Sequence, residues 1–495
     1  MIDLTINKEG LKHNIETARA QGIIIPTIAQ MKDPSLIPES IRERLRHVGL
    51  QDVDPLNLFR ISWKNEPAEQ GGGFRQVPNT VEFPPALTGV PCRIIAMAGK
   101  WFPTGCHKVG ASFGCLAPRL VTGQFDVKKH KAVWPSTGNY CRGGAFNSRL
   151  LGAQGVAILP AGMSRERFDW LKMIGAEVIA TPGTESNVKE IFDETNRIKA
   201  NPGYMVFNQF EEMGNPLWHY NVTGNALADT FEALKRPGDR LAGACFTSGS
   251  AGTLSAGDRL KDIYPRVKLG VGEALQCPTI LENGFGSHRI EGIGDKHIPW
   301  IHNVKNTDMV IDIDDEDSQR LLRLFNTGAG ETYLREELGL SEELIGQLHW
   351  LGISGIANVL CCIKMAKYYE LTEHDMLVTV LTDSAAMYQS RIEELNEEDA
   401  AAGRQYTAVS AMLDHELHMK GLKTDHMAEL GYQDRKRVHN LKYYTWVEQQ
   451  GKTAEELDAL WYDPEHTWDA VHAQAAQLDE LIEAFNEETG LLKNL

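Results

Sequence analysis

Between residues 78 and 390 the chain alternates short apolar runs with longer amphipathic ones, and this restricts the fold more than any single motif does. CRIIAMA, GVAILP, AEVIA, LAGACF, VKLGVGE and MLVTVLT are each bounded by turn signals. At roughly four to eight residues apiece, such runs suit strands buried on both faces. Stretches such as RERFDWLKMIG and NVKEIFDETNRIKA lie between them, with helical length and periodicity. Strand–helix alternation on this scale predicts an α/β protein with parallel sheets. The flanks read differently. Residues 1–77 mix short helical patterns with Pro-bearing segments and end in EQGGGFRQV, a predicted linker. From 391 to 495, RIEELNEEDAAAG, TAVSAMLDHELHMKG and AQAAQLDELIEAFNEETG predict a helical C-terminal extension. A chain of 495 residues exceeds one compact core, so two or three domains are expected.

Charge narrows the function classes. A formal net charge of −17 opposes nucleic acid and anionic membranes, whose binding depends on neutralising phosphates. It suits a protein that meets a small anionic ligand at a local positive site. The most apolar stretch, LGISGIANVLCCIKMA (351–366), is too short and too polar to span a bilayer. The N-terminal MIDLTINKEGLKHN carries charges where a signal peptide needs an apolar run. Eight cysteines without a CxxC pair fit free thiols in a reducing compartment, so a cytoplasmic enzyme is expected.

Several polar turns follow apolar runs and precede helical ones. PTGCHK (103–108) sets Lys108 at the mouth of a helix directly after a Pro-Thr-Gly turn. AVWPSTGNYCRGGAFNSRLLG (132–152) and AGACFTSGSAGTLSAGDRLK (242–261) combine glycine with Ser, Thr or Asn. GSHRIEGIGDKHIP (286–299) fits more loosely, and MLVTVLTDSAAMYQSR (376–391) has the polar turn without glycine. In open α/β sheets ligands bind beyond the carboxyl ends of strands, where glycine lets the backbone approach them. Gly249, Ser250, Ala251, Gly252 and Thr253 would present successive N–H groups at a helix N-terminus, a setting for phosphate. Neither GxxxxGK[ST] nor GxGxxG is present. A desolvated lysine facing a phosphorylated ligand suggests pyridoxal phosphate, because such a lysine forms a Schiff base with an aldehyde.

These segments resemble the fold-type II pyridoxal-phosphate enzymes, the group of cysteine synthase, cystathionine β-synthase, threonine synthase and the tryptophan synthase β chain. The resemblance covers 78–391, about two-thirds of the chain. PTGCHK resembles the PTGSxK segment, which implies that Lys108 is the Schiff-base lysine and general base. STGNYCRGG resembles the TSGNTG loop; Asn139 is then implied to bond the cofactor's ring hydroxyl. Ser136, Thr137, Gly138 and Tyr140 are implied to grip the substrate carboxylate. GSAGT resembles the phosphate-binding GTGGT loop, and LTDSAAMY the PDSxxxY segment, so Ser384 is implied to face the pyridine nitrogen. LPAGMSRERFDWLKMIGAEVI, FNQFEEMGNPLWHYNVTG and IEGIGDKHIP match further segments in order. The resemblance implies two α/β/α subdomains with parallel sheets, one of them (about 130–205) mobile, and a homodimer. It also implies β-elimination or β-replacement on an amino acid through an aminoacrylate intermediate. Tyr140, Cys141 and Arg142 depart from the usual loop, and Tyr140 or Arg142 is expected to read a distal polar group of the substrate. Cys106 replaces the usual Ser and is expected to be a small buried residue.

Two other readings accompany this one. The chain's size also resembles thiolase-type relatives that cleave a 2-amino-4-oxo acid with coenzyme A, which would require a small partner subunit. A non-catalytic pyridoxal-phosphate-binding regulatory subunit is the third reading. Outside the resemblance, DHELHMKGLKTDHM (414–427) gathers His415, His418 and His426 but lacks a closed ligand set, so a solvated helix face is expected rather than a metal. DRKRVHNLKYYTWVEQQGK (434–452) is basic and aromatic and is expected to pack on the main body, its long stems covering apolar surface.

Overall fold

The computed structural model describes residues 1–136, 138–183, 188–294 and 296–494. Its strands, in chain order, are β1 Thr80–Phe83, β2 Arg93–Ala98, β3 Lys131–Pro135, β4 Gln154–Pro160, β5 Glu177–Thr181, β6 Tyr204–Val206, β7 Arg240–Thr247, β8 Lys268–Ala274, β9 Met309–Ile313, β10 Asp375–Leu381 and β11 Met427–Glu429. The larger sheet runs β1-β2-β10-β7-β8-β9-β11 and the smaller β5-β4-β3-β6. The smaller sheet is wholly parallel. In the larger one the inner strands are parallel, while β1 and β11 pair antiparallel at the two edges. The expected parallel sheets are therefore present, with antiparallel edges that the sequence pattern did not reveal.

The inner strands are apolar throughout because both faces are covered. In β2, Ile94 and Ala96 join the core on one side of the sheet, and Ile95 and Met97 the core on the other. β10 divides in the same way, with Leu377 and Leu381 on one face and Met376, Val378 and Val380 on the opposite one. Each Ile, Leu, Val or Met side chain so buried contributes about 1.5–3 kcal/mol by leaving water. The helix Ile353–Tyr368 covers one face and is buried from Ile353 to Ala366, which accounts for its apolar sequence. Among the described residues no single helix is long and apolar enough to cross a membrane.

The flanks do not hang from this body. Ile15, Ile25 and Met31 from the N-terminal segment meet Val471, Leu478 and Ile482 of the helix Ala470–Thr489 in the same core as β2 and β10. Ile25 N–H donates to Asn486 Oδ1 at 3.0 Å, and Asn486 Nδ2 donates back to Ile25 O at 2.8 Å. Asp479 accepts from the Ile28 and Ala29 N–H groups at 2.6 and 3.0 Å. The predicted linker is a folded loop rather than a tether: Arg60 Nη2 donates to Gly72 O at 2.8 Å, and Asn65 bridges Phe74. The C-terminal region is helical as expected but also supplies β11 to the main sheet. Of its three histidines in 414–427, His415 departs from the expected solvated face, being buried between Tyr333 OH (2.8 Å) and Leu87 O (2.7 Å), while His418 is partly exposed and His426 exposed. The basic-aromatic segment packs on the body: Lys442 is fully buried and donates to Trp300 O and His302 O at 2.9 and 2.7 Å. All eight cysteines are buried free thiols.

Candidate active site

The polar turns after β2, β3, β7 and β10 all open at the carboxyl ends of their strands. After β2 the chain makes two short turns, Gly99–Trp101 and Pro103–Gly105, before the helix Lys108–Val121 begins. Gly99 is obligatory here, because a Cβ would lie 2.4 Å from Leu381 O at the end of β10. Thr104 and Gly105 adopt φ of 70° and 71°, which glycine tolerates and threonine resists by about 1–3 kcal/mol. Two hydrogen bonds hold Thr104 there: its N–H donates to Gln51 Oε1, and its carbonyl accepts from Arg142 Nη2, both at 2.9 Å. The turn delivers Lys108 as the first residue of the helix. Lys108 Nζ donates to Ser250 Oγ at 3.1 Å and to Gln209 Oε1 at 3.2 Å. His107 beside it packs against Trp63 and His219, and burial pushes its pKa down to about 3, so its ring is neutral.

Ser250 belongs to the loop between β7 and the helix Leu254–Ile263. Ala251 takes φ 66°, and the N–H groups of Gly249, Ser250, Ala251 and Thr253 have no acceptor among the described residues. They gather at a helix N-terminus, where the dipole favours an anion. Gly252 must lack a side chain, since a Cβ would lie 2.0 Å from Asn215 Oδ1. Asn215 braces the loop from below, its Nδ2 donating to Ser250 Oγ at 3.2 Å and Gln209 O at 3.0 Å.

The turn after β3 meets the turn after β10. Asn139 Nδ2 donates to Asp383 Oδ2 at 2.7 Å, while Asn139 Oδ1 accepts from Arg142 Nη1 at 3.3 Å. Asp383 is fully buried, which raises its carboxyl pKa, and its Oδ2 also accepts from Tyr388 OH at 2.7 Å. Ser384 follows it and is 5% exposed, and its hydroxyl makes no hydrogen bond among the described residues. Ser136 Oγ accepts from Gly138 N–H at 3.1 Å and shapes the turn. Thr137 lies outside the described residues.

Two expectations fail. Tyr140 does not face the site: its ring packs edge-on to Trp134 at 5.4 Å, and its hydroxyl lies beside Cys115, about two turns along the lysine helix. The helical period sends it inward from Asn139. Arg142 is also buried, stacked over Trp170 at 4.6 Å, and desolvation lowers its pKa to about 10. It serves Thr104 O and Asn139 rather than a substrate group. Cys106 is buried as expected, and burial pushes its thiol up to about 12. Sequence reasoning missed Gln209, Asn215, Asp383, Arg167 and Tyr388. Gln209 and Asn215 sit in FNQFEEMGN, Arg167 in LPAGMSRERFDWLKMIGAEVI, and Asp383 and Tyr388 in LTDSAAMY, so all five positions lay in matched segments without a role assigned to them.

A family model described as pyridoxal-phosphate dependent enzyme matches residues 97–330. A cysteine synthase of Staphylococcus aureus is 31% identical over 259 residues, spanning 52% of this chain and 75% of the relative. The chain belongs to the pyridoxal-phosphate-dependent enzymes. A cystathionine beta-synthase of Saccharomyces cerevisiae is similar at 26% identity over 316 residues, 62% of this chain and 59% of that protein. Among solved structures, a cysteine synthase from Entamoeba histolytica superposes with a TM-score of 0.55 at 20% identity, covering 68% of this chain and 92% of that one. An O-acetylserine dependent cystathionine beta-synthase from Helicobacter pylori gives 0.53 at 23% identity, covering 64% and 94%. These place the fold with the fold-type II pyridoxal-phosphate enzymes.

The residues present fit that cofactor. Unpaired N–H groups at a helix N-terminus suit its phosphate, the Ser384 hydroxyl, which makes no hydrogen bond among the described residues, suits a ring atom, and Lys108 Nζ lies within reach of the Gly249–Thr253 loop. When bound, pyridoxal phosphate supplies an aldehyde for an amine and a ring that withdraws electrons. The protein supplies the cradle.

Proposed function

We propose that this enzyme performs β-elimination or β-replacement on an amino acid, with pyridoxal phosphate held at Lys108. The observation that carries the reading is Lys108 Nζ hydrogen-bonded to Ser250 of the phosphate loop. Gly249 to Thr253 hold the phosphate by their N–H groups. Asn139 donates to the ring hydroxyl, and Ser384 faces the ring nitrogen. Ser136, Thr137 and Gly138 receive the substrate carboxylate, and Lys108 Nζ takes the proton from the substrate Cα.

The acid near the ring supports elimination or replacement chemistry. Asp383 precedes Ser384 in the chain, and its Oδ2 is engaged by Asn139 and Tyr388 while its Oδ1 is buried without a partner among the described residues. By its place in the LTDSAAMY segment Ser384 is the neutral hydroxyl that would meet the ring nitrogen, the pattern that the family resemblance associates with β-chemistry.

The test is an absorbance spectrum of the purified protein with added pyridoxal phosphate, beside Lys108→Ala, during titration with a panel of amino acids. A visible band that Lys108→Ala loses and one amino acid shifts, with release of a keto acid and ammonia or of a new amino acid, is the expected result. Product formation that requires coenzyme A would replace the reading with acyl transfer. A wild-type protein with no visible band would overturn it.

A further inference from the structure

The side chains behind Asn139 form a continuous buried chain that the reaction itself does not use. Asn139 Nδ2 and Tyr388 OH both donate to Asp383 Oδ2, each at 2.7 Å. Arg167 Nη2 donates to Tyr388 OH at 3.1 Å, and Arg167 Nη1 ion-pairs with Glu291 at 3.0 Å. Glu291 is held in turn by Arg391 Nε at 2.7 Å. Asp383, Tyr388 and Arg167 are all fully buried. Arg167 also lies directly beneath the substrate turn, since a Cβ on Gly138 would come within 2.4 Å of its Nη1.

The charges in this chain decide which way the Asn139 amide points. Its oxygen faces the Arg142 guanidinium and its nitrogen faces the Asp383 carboxylate. A flipped amide would set oxygen against carboxylate and N–H against a cation, so both contacts would become repulsive. An amide nitrogen carries two hydrogens. One is taken by Asp383, and the other is left for a ligand oxygen.

The geometry points to Asp383, supported by Tyr388 and Arg167, as a positioning residue that locks Asn139 as a hydrogen-bond donor toward the bound cofactor's ring oxygen. This rests on the proposed place of pyridoxal phosphate beside Asn139. Asp383 touches no reacting atom. It acts by holding one amide hydrogen so that the second has a fixed direction. Tyr388 supplies the other donor to the same carboxylate oxygen, and Arg167 fixes the Tyr388 hydroxyl while filling the space beneath Gly138.

The test uses the cofactor-loaded protein with Tyr388→Phe, which keeps the ring and removes only the hydroxyl, and with Asp383→Asn, which keeps the shape and removes the charge. Cofactor content, position of the visible band, and the concentration of the responding amino acid that half-saturates the spectral change are measured together. The expected result is full cofactor content with a displaced visible band, and half-saturation raised about tenfold in Asp383→Asn and less in Tyr388→Phe. Unchanged band position and half-saturation, with only a lowered thermal midpoint, would make the chain a packing device and overturn the proposal. A wild type that binds no pyridoxal phosphate would overturn it through the underlying reading, and the wild-type spectrum alone distinguishes that failure from the other.

Discussion

The middle of the chain and its two flanks contribute to the same core by different means. The family match covers residues 97–330, and the turns proposed to carry the chemistry follow β2, β3, β7 and, beyond that match, β10. The helix Ala470–Thr489 and the N-terminal Ile25 and Met31 complete the core that also holds residues of the lysine helix. Lys442 and Trp446 fasten the backbone at Ile298, Trp300 and His302, just beyond the EGIG segment that holds Glu291. The middle thus holds the proposed cofactor turns, while the flanks mainly complete the core, with Gln51 and Trp63 as the points where the N-terminal flank touches the lysine turn.

Removing 391–495 should test that division most severely. It deletes β11 and exposes the core faces that Trp446, Val471 and Ile482 cover, so the truncated chain is expected not to fold, as judged by circular dichroism and sedimentation. A folded, cofactor-binding truncation would break the comparison outright. Lys442→Ala should cost about 3 kcal/mol in urea unfolding, because two buried carbonyls lose their donor.

A subtler effect concerns His472, which stacks on Tyr220 at 3.7 Å and whose pKa burial lowers to about 3. Unfolded histidine titrates near pH ~6.5, so between these values the unfolded chain binds the extra proton. This group therefore favours unfolding increasingly as pH falls through 6.5, and its penalty is complete near pH 3. His472→Asn loses the stacking but also the penalty. Its stability deficit at neutral pH is expected to narrow on acidification, by at most about 1.4 kcal/mol per pH unit. The smallest change in stability is expected at the centre: Lys108→Ala without cofactor should unfold within about 0.5 kcal/mol of wild type, because Lys108 is only partly buried. A large loss there would show that the site also supports the scaffold.

The inner strands were legible because each is buried on both faces and reads as an unbroken apolar run with a polar turn at its end. β1 and β11 were not, since short antiparallel edges with one open side leave a weaker pattern, as Glu82 and Glu429 illustrate. Lys108, Asn139 and the Gly249–Thr253 loop stood out because each sits in a short polar turn between an apolar run and a helix, a local pattern visible before the distant partners Ser250 and Asp383 are known. Tyr140 and Arg142 misled for the opposite reason. Tyr140 follows Asn139 directly, and a helix turns each residue about 100° from the last, so it points elsewhere; Arg142, three residues on, shares the Asn139 face but is spent on Asn139 Oδ1 and Thr104 O. Arg167 meets Tyr388 across more than two hundred residues, and no local signal announces such a pairing.

All eight thiols are hidden, so a thiol-reactive dye meets none of them until some part of the molecule opens. Each cysteine then becomes a clock for its own neighbourhood. Cys106 times the release of the lysine turn, Cys141 the turn after β3, and Cys361 with Cys362 the helix against the main sheet. The order in which they react would record which walls of the scaffold yield first.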